Sequence, residues 1–302
     1  MADTALLAIE REMLLSLAPE LGGIPHARGW DELSVETCRN IRILAAIGST
    51  PLRAADMDRF PSLKHIACFA VGIDGVDLAA ATARGITVTN AIGANAPDVA
   101  EHAMGLLLAL LCRINEGQAH IASGAWRHGM MKPRRAIRSM RIGIVGMGAI
   151  GKAIAERLAP FGPEIAWWGP RPAETPYRRA ESLLALARES DALIVAARAD
   201  DTNRNLIDSG VLDALGADGF LVNIARGSLV DEDALIAALR GNRLAGAALD
   251  VFAVEPAGPE WRDVPRLIAM PHIGGLTFES LAALGGQLVA TVKGFLGNLP
   301  PR

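Results

Sequence analysis

Residues 141–159 read RIGIVGMGAIGKAIAERLA. An apolar, β-branched run stops at Gly146, and Gly148 and Gly151 then open a segment with the spacing of an amphipathic helix. A lone G-x-G-x-x-G carries little weight. Here a strand pattern precedes the glycines, a helix pattern follows, and a second apolar run, EIAWW at 164–168, completes a βαβ unit. Gly146 permits the tight turn, Gly148 lets backbone approach a pyrophosphate, and Gly151 lets helix and strand pack closely. The first helical N–H groups, those of Ala149 and Ile150 among them, then face the anion. The stretch predicts a dinucleotide-binding turn within a parallel α/β domain.

Working outward, the same alternation recurs along the chain. Short apolar runs at 41–47, 65–71, 86–90, 192–197, 220–225, 245–252 and 266–271 predict strands. Longer helical patterns fall between them, for example at 151–162, 231–241 and 97–114. Near-continuous apolar strands separated by helices mean parallel sheet covered on both faces. Segment 97–114 opens with Pro97, Asp98 and Glu101, which suit the first turn of a helix. The alternation restarts after residue 140, so this helix marks a crossing from one domain to another. The basic segment KPRRAIRSM (132–140) reads as a solvated connector.

Composition narrows the function classes. At 302 residues the chain exceeds one usual core, and 51% hydrophobic with 21% charged residues is globular composition. A net charge of −3 gives no basic excess for nucleic acid or an anionic membrane. Cys38, Cys68 and Cys112 are few and unclustered, which argues for a reducing compartment and against a disulfide frame. No His pair has metal-ligand spacing with a nearby acid, so no metal is expected. The N-terminal residues do not read as a signal peptide, and the apolar run 103–112 is too short to span a bilayer. A soluble, cytoplasmic protein is expected.

Three long stretches carry a resemblance. AVGIDGVDLAAATARGITVTNAIGANAPDVAEHAMGLLLAL (70–110), NIARGSLVDEDALIAALRGNRLAGAALDVFAVEP (223–256) and MPHIGGLT (270–277) are, in that order, similar to signatures of the D-isomer-specific 2-hydroxyacid dehydrogenases. The resemblance implies a Rossmann-type nucleotide-binding domain, 96–275, inserted into a flavodoxin-like substrate domain, 1–95 with 276–302. It also implies hydride transfer between a nicotinamide and a 2-oxo or 2-hydroxy acid in a homodimer, with catalysis in a cleft between domains. The family's catalytic arginine falls on Arg226, its acid on Glu255 and its histidine on His272.

Those residue types suit the chemistry. Each lies at or just beyond the C-terminal end of an expected strand, the edge where open α/β sheets bind ligands. Reducing a 2-oxo acid needs a proton on the carbonyl oxygen, which histidine supplies near neutral pH. A neighbouring carboxylate stabilises a protonated imidazole, and the resemblance puts Glu255 there. An arginine fork holds a carboxylate and polarises a carbonyl at once. By the same resemblance, the backbone of Val71 and Gly72 serves the substrate carboxylate, Asp250 the nicotinamide carboxamide, and Ala225 the cofactor. Trp126 resembles a tryptophan that neighbouring families place near the subunit interface and active-site mouth. His26, His65, His102, His120 and His128 carry no signature and read as structural or exposed.

The turn after EIAWW departs from the usual pattern. A dinucleotide site normally carries an Asp or Glu about 20 residues beyond its glycines, to hold the adenosine ribose. This chain has Gly169, Pro170 and Arg171. Without the acid a 2′-phosphate is not repelled, and an arginine nearby accommodates it, so NADP(H) is expected over NAD(H). Arg198, after the run ALIVAA, is a second cation expected beside the adenosine. Together with RNLIDSGVLDALGADGFLVNIARG (204–227), the turn is most similar to the glyoxylate/hydroxypyruvate reductase branch, whose substrates are small polar 2-oxo acids. Loops such as GSTP (48–51) would set the substrate. Two other readings remain open: a same-fold NAD-dependent dehydrogenase of another substrate, or a dinucleotide-sensing corepressor-like protein.

Overall fold

Runs that are apolar on both faces become two parallel sheets, each covered on both sides. The computed structural model describes residues 5–8, 18–24, 26–27, 33–126 and 133–297. It divides into two compact units, residues 1–95 with 276–302, and residues 96–275. His128 and part of the 132–140 connector lie outside the described residues.

In the first unit, strands β1 (Ala5–Ala8), β2 (Ile43–Ala46), β3 (His65–Cys68) and β4 (Thr87–Thr89) lie side by side in chain order, all parallel. Period-two alternation splits the side chains of β2 and β3 between two cores. Leu44, Ala46, Ile66 and Cys68 pack with Met57, Phe60 and Ala81 on one face. Ile43, Ala45 and Ala67 pack on the other against Leu284, Leu288 and Val292 of the helix Phe278–Gly297.

A buried imidazole ties β3 to β4. His65 Nδ1 lies 2.6 Å from Thr87 Oγ1 and its Nε2 2.9 Å from Thr89 Oγ1, while the ring stacks on Phe295 at 5.4 Å between centroids. Burial lowers the pKa of His65 below the ordinary imidazole value. A group with a depressed folded-state pKa binds its proton more readily once unfolded, so acid favours unfolding. Stability contributed by neutral His65 is therefore complete above pH ~6.5 and is lost as pH falls below it. Thermal unfolding between pH ~7.5 and ~5 should show a Tm that falls less steeply in His65→Gln than in the native chain. Parallel slopes would assign the acid sensitivity to other groups.

The second unit holds β5 (Arg141–Val145), β6 (Glu164–Trp168), β7 (Arg178–Arg179), β8 (Ala192–Val195), β9 (Phe220–Asn223), β10 (Gly246–Leu249) and β11 (Leu267–Ala269). Their order in the parallel sheet is β11-β10-β9-β8-β5-β6-β7. The chain starts near the middle at β5, winds outward to β7, then returns to β8 on the other side of β5. This is a doubly wound sheet whose order reverses between β5 and β8, the place where such sheets bind ligands. Ile142, Ile144 and Ile194 join one core with Val99, Ala103 and Leu107 of the helix Ala96–Leu111. Val145, Leu193 and Val195 join the other.

Three local features differ from the sequence reading. β1 is made of ALLA, whose residues favour helix, and parallel pairing with β2 overrides that preference. The pair Arg178–Arg179 is too short for a periodicity to exist. The helix expected over 97–114 stops at Leu111, because Arg113 turns into the left-handed region at φ 53°. A separate helix, Ile114–Ala122, follows it and buries none of its side chains. Among the described residues no helix is long and apolar enough to cross a membrane.

Candidate active site

The glycine turn closes at the reversal point. Gly146 follows β5 at φ 98°, and a Cβ there would stand 2.6 Å from Ala197 Cα in the loop after β8. A Cβ on Gly151 would stand 2.0 Å from the Gly146 carbonyl oxygen, so any side chain would force the helix off the turn. At Gly148 a Cβ would meet nothing within 4 Å, and the residue is exposed. Packing does not require glycine there, whereas a phosphate drawn against the backbone would. The helix Ala149–Leu158 makes its first backbone bond from Lys152 N to Gly148 O, leaving the amides of 149–151 for an outside acceptor. These residues fit the pyrophosphate of a dinucleotide.

At the end of β6, Gly169 is buried beside Trp167. A Cβ on Gly169 would lie 3.6 Å from Trp167 Cζ3, an ordinary contact. The backbone therefore accommodates a side chain's Cβ here, and the sequence supplies no acid. Arg171 is exposed and pairs with no described residue. Sequence reasoning passed over Arg179, whose Nη2 donates to the Gly169 carbonyl at 2.6 Å and whose guanidinium carbon lies 5.4 Å from the Trp167 ring centroid. Arg198 is exposed in the loop after β8. That loop is folded locally: Asn203 Nδ2 donates to Arg198 O at 2.8 Å, and the hydroxyl and amide of Thr202 hold the Asp200 carboxyl below its usual range.

Loops after β10 and β11 bring two of the three expected catalytic residues, Glu255 and His272, together, and the third, Arg226, lies in the loop after β9. Asn223, fully buried at the end of β9, accepts from Ala225 N at 3.1 Å and donates to Arg226 O at 3.0 Å, which fixes the loop carrying Arg226. Arg226 is half-buried and its Nη1 donates to Ala225 O at 2.6 Å. Gly227 lets this loop press on the next, since a Cβ there would stand 1.9 Å from the Phe252 carbonyl carbon. Beyond Phe252, Glu255 Oε1 accepts from Phe252 N at 3.0 Å, and Glu255 Oε2 lies 2.8 Å from His272 Nδ1. The imidazole remains 47% exposed, and its Nε2 has no partner among the described residues. His272 itself sits at φ 56°, a region most side chains avoid and one that recurs at functional sites.

Asp250, buried in the loop after β10, holds that conformation. Its Oδ1 accepts from Ile273 N at 2.9 Å and its Oδ2 from Gly274 N at 2.8 Å, the two amides that follow His272. His102 Nε2, on the helix Ala96–Leu111, stands 3.2 Å from Oδ1. Burial pushes the Asp250 carboxyl up, but the nearby His102 ring and the bonds from the two amides outweigh it, and the net shift is downward. The two amides leave acceptor directions on this carboxylate open to a ligand. His102 had no sequence signal of its own; only the fold brings a residue 148 positions earlier (250 − 102) to Asp250.

In the other unit, Val71 and Gly72 follow β3 at the C-terminal edge of their sheet. Asn90 Nδ2 donates to Val71 O, and a Cβ on Gly48 would stand 1.8 Å from Gly72 O, so the loop is pinned from both sides. The amides of Val71 and Gly72 make no hydrogen bond among the described residues and are free to meet an anion. Trp126 is 70% exposed, and its carbonyl bonds to the His120 ring.

Known proteins resemble this chain in sequence and fold. Residues 104–274 match the family described as D-isomer specific 2-hydroxyacid dehydrogenase, NAD binding domain. The glyoxylate/hydroxypyruvate reductase A HPR2 of Arabidopsis thaliana is 38% identical over 263 residues, covering 86% of this chain and 84% of that protein. The hydroxyphenylpyruvate reductase of Plectranthus scutellarioides is 36% identical and covers 91% of this chain and 88% of its own. Among solved structures, the NADPH-dependent glyoxylate/hydroxypyruvate reductase SmGhrB of Sinorhizobium meliloti, in complex with NADP and malonate, superposes with a TM-score of 0.87. It is 32% identical, and the match spans 98% of this chain and 94% of that one.

Proposed function

This chain belongs to the D-isomer specific 2-hydroxyacid dehydrogenase family, and we propose that it reduces a small 2-oxo acid of the glyoxylate or hydroxypyruvate kind with NADPH, His272 donating the proton. As a member of that family it is an NAD(P)-dependent 2-hydroxyacid dehydrogenase. The observation that carries the chemistry is the 2.8 Å pair of His272 Nδ1 and Glu255 Oε2, which leaves Nε2 open.

The residues divide the work as follows. Gly146, Gly148 and Gly151 with the amides of 149–151 would hold the pyrophosphate of a dinucleotide, which would supply hydride when bound. His272 Nε2 delivers a proton to the carbonyl oxygen as that oxygen gains charge. Glu255 holds the ring through Nδ1 and counters its positive charge. Arg226 grips the carboxylate and draws electron density from the carbonyl. Asp250 fixes the backbone that presents His272 and has acceptor directions left for the carboxamide.

Support for NADPH comes from Gly169, where a Cβ is accommodated and no acid is present, and from the unpaired Arg171. The Sinorhizobium relative is described as NADPH-dependent. The absorbance of reduced nicotinamide, followed with glyoxylate, hydroxypyruvate, pyruvate and phenylpyruvate, tests the reading. Turnover should be fastest with the first two and with NADPH; no turnover with any of them would reject it. Arg171→Ala should raise the KM for NADPH about tenfold and that for NADH little. Equal effects would remove Arg171 from the 2′-phosphate.

The helix Ile114–Ala122 leaves Ile114 and Ile121 more than half exposed, and Trp126 follows it. An apolar face of this kind is the proposed contact with a second copy of the chain. Light scattering should give the mass of a dimer, shifted toward monomer in Ile121→Glu; a monomeric native chain would reject the contact.

A further inference from the structure

Arg178 and Arg179 are neighbours on β7, and consecutive strand residues face opposite ways. Arg178 pairs with Glu189. Arg179 pairs with no carboxylate among the described residues, yet its side chain is fixed. It stands opposite Trp167 in the β6–β7 register, its guanidinium lies over that ring at 5.4 Å, and its Nη2 donates to Gly169 O at 2.6 Å. Both anchors are rigid. The Trp167 ring is buried and its Nε1 donates to Tyr177 O at 3.2 Å, while Gly169 is buried at the end of β6.

The cation is thus held at the residue where an adenosine-binding acid would stand. Of the five N–H donors of a guanidinium, the bond to Gly169 uses one. An arginine kept charged, solvent-facing and already ordered is suited to receive an anion, because little rotamer entropy remains to be lost. Arg171 is exposed without such anchors and would lose more on binding. We propose that Arg179 is a further specificity-determining residue, a preordered contact for the adenosine 2′-phosphate that acts with Arg171. The assignment rests on the NADPH reading above. It also gives the absent acid a second consequence: a carboxylate at position 169 would draw the Arg179 guanidinium to itself and cancel the positive site.

Calorimetric titration with adenosine 2′,5′-diphosphate and with adenosine 5′-diphosphate tests this without turnover. The native chain should bind the 2′-phosphorylated probe about tenfold or more tightly than the other. Arg179→Gln, which retains an N–H donor for Gly169 O but no charge, should reduce that ratio about tenfold and leave the adenosine 5′-diphosphate affinity unchanged. Arg179→Lys should recover part of the ratio, and Arg178→Gln should leave it intact. A native ratio near one would overturn the NADPH reading and this assignment with it. A high native ratio retained in Arg179→Gln would overturn the assignment alone. Loss of affinity for both probes together with a lowered Tm would overturn it too, giving Arg179 a purely structural role.

Discussion

Replacing His272 with alanine will lower kcat by about 10²- to 10⁴-fold while the KM for the dinucleotide stays within about twofold. The asymmetry follows from position. His272 lies outside the 146–151 turn proposed for the pyrophosphate, and its ring is tied to Glu255 with Nε2 open. Removing it deletes the proton donor, an interaction needed as charge develops on the carbonyl oxygen. His272 also occupies φ 56°, where alanine is disfavoured, so part of any loss could come from the backbone. His272→Asn controls for this, because asparagine tolerates that region and cannot donate a proton in the same way. Both variants should lose kcat alike with similar Tm. Substantial activity in either would assign the proton to another group. Glu255→Gln should retain more activity than His272→Ala, since the ring's carboxylate partner is lost but the ring that donates the proton remains.

Arg226→Lys will reduce kcat/KM for the 2-oxo acid by about 10²-fold, with the cofactor KM little changed. The native loop leaves this side chain half-buried after β9, anchored by Asn223 and by the Gly227 contact with Phe252. A planar fork can bond a carboxylate twice and still lie beside the carbonyl; an ammonium offers a single charge point at a different reach. Charge is conserved in the substitution, so the loss measures geometry. Added guanidinium should restore part of the activity in Arg226→Ala. If Arg226→Lys turned over normally at normal substrate KM, the carboxylate would be held elsewhere.

Much of this site was legible in the sequence because its parts are local. The glycines at 146, 148 and 151, and the loops carrying Arg226, Glu255 and His272, each follow a strand whose apolar run is plain. What was not legible depends on pairing across distance. β1 is written in helix-favouring residues and is a strand only because β2 lies beside it. Arg179 had no motif, and only its register opposite Trp167 brings it to Gly169. His102 read as an ordinary helical histidine, and the packing of its helix on the sheet sets it against Asp250. The early end of the 97–114 helix turned on one residue, Arg113, entering the left-handed region.

Transfer of deuterium from NADPH to the product shows whether this chain is a D-specific 2-oxo acid reductase. Hydroxypyruvate is incubated with the protein and with NADPH carrying deuterium at both positions of nicotinamide C4, and the product is examined by mass spectrometry and chiral chromatography. The native chain should give D-glycerate heavier by one mass unit, with the label on C2, and His272→Ala almost none. Product lacking the label, product of the opposite hand, or no product with any 2-oxo acid offered would contradict that assignment.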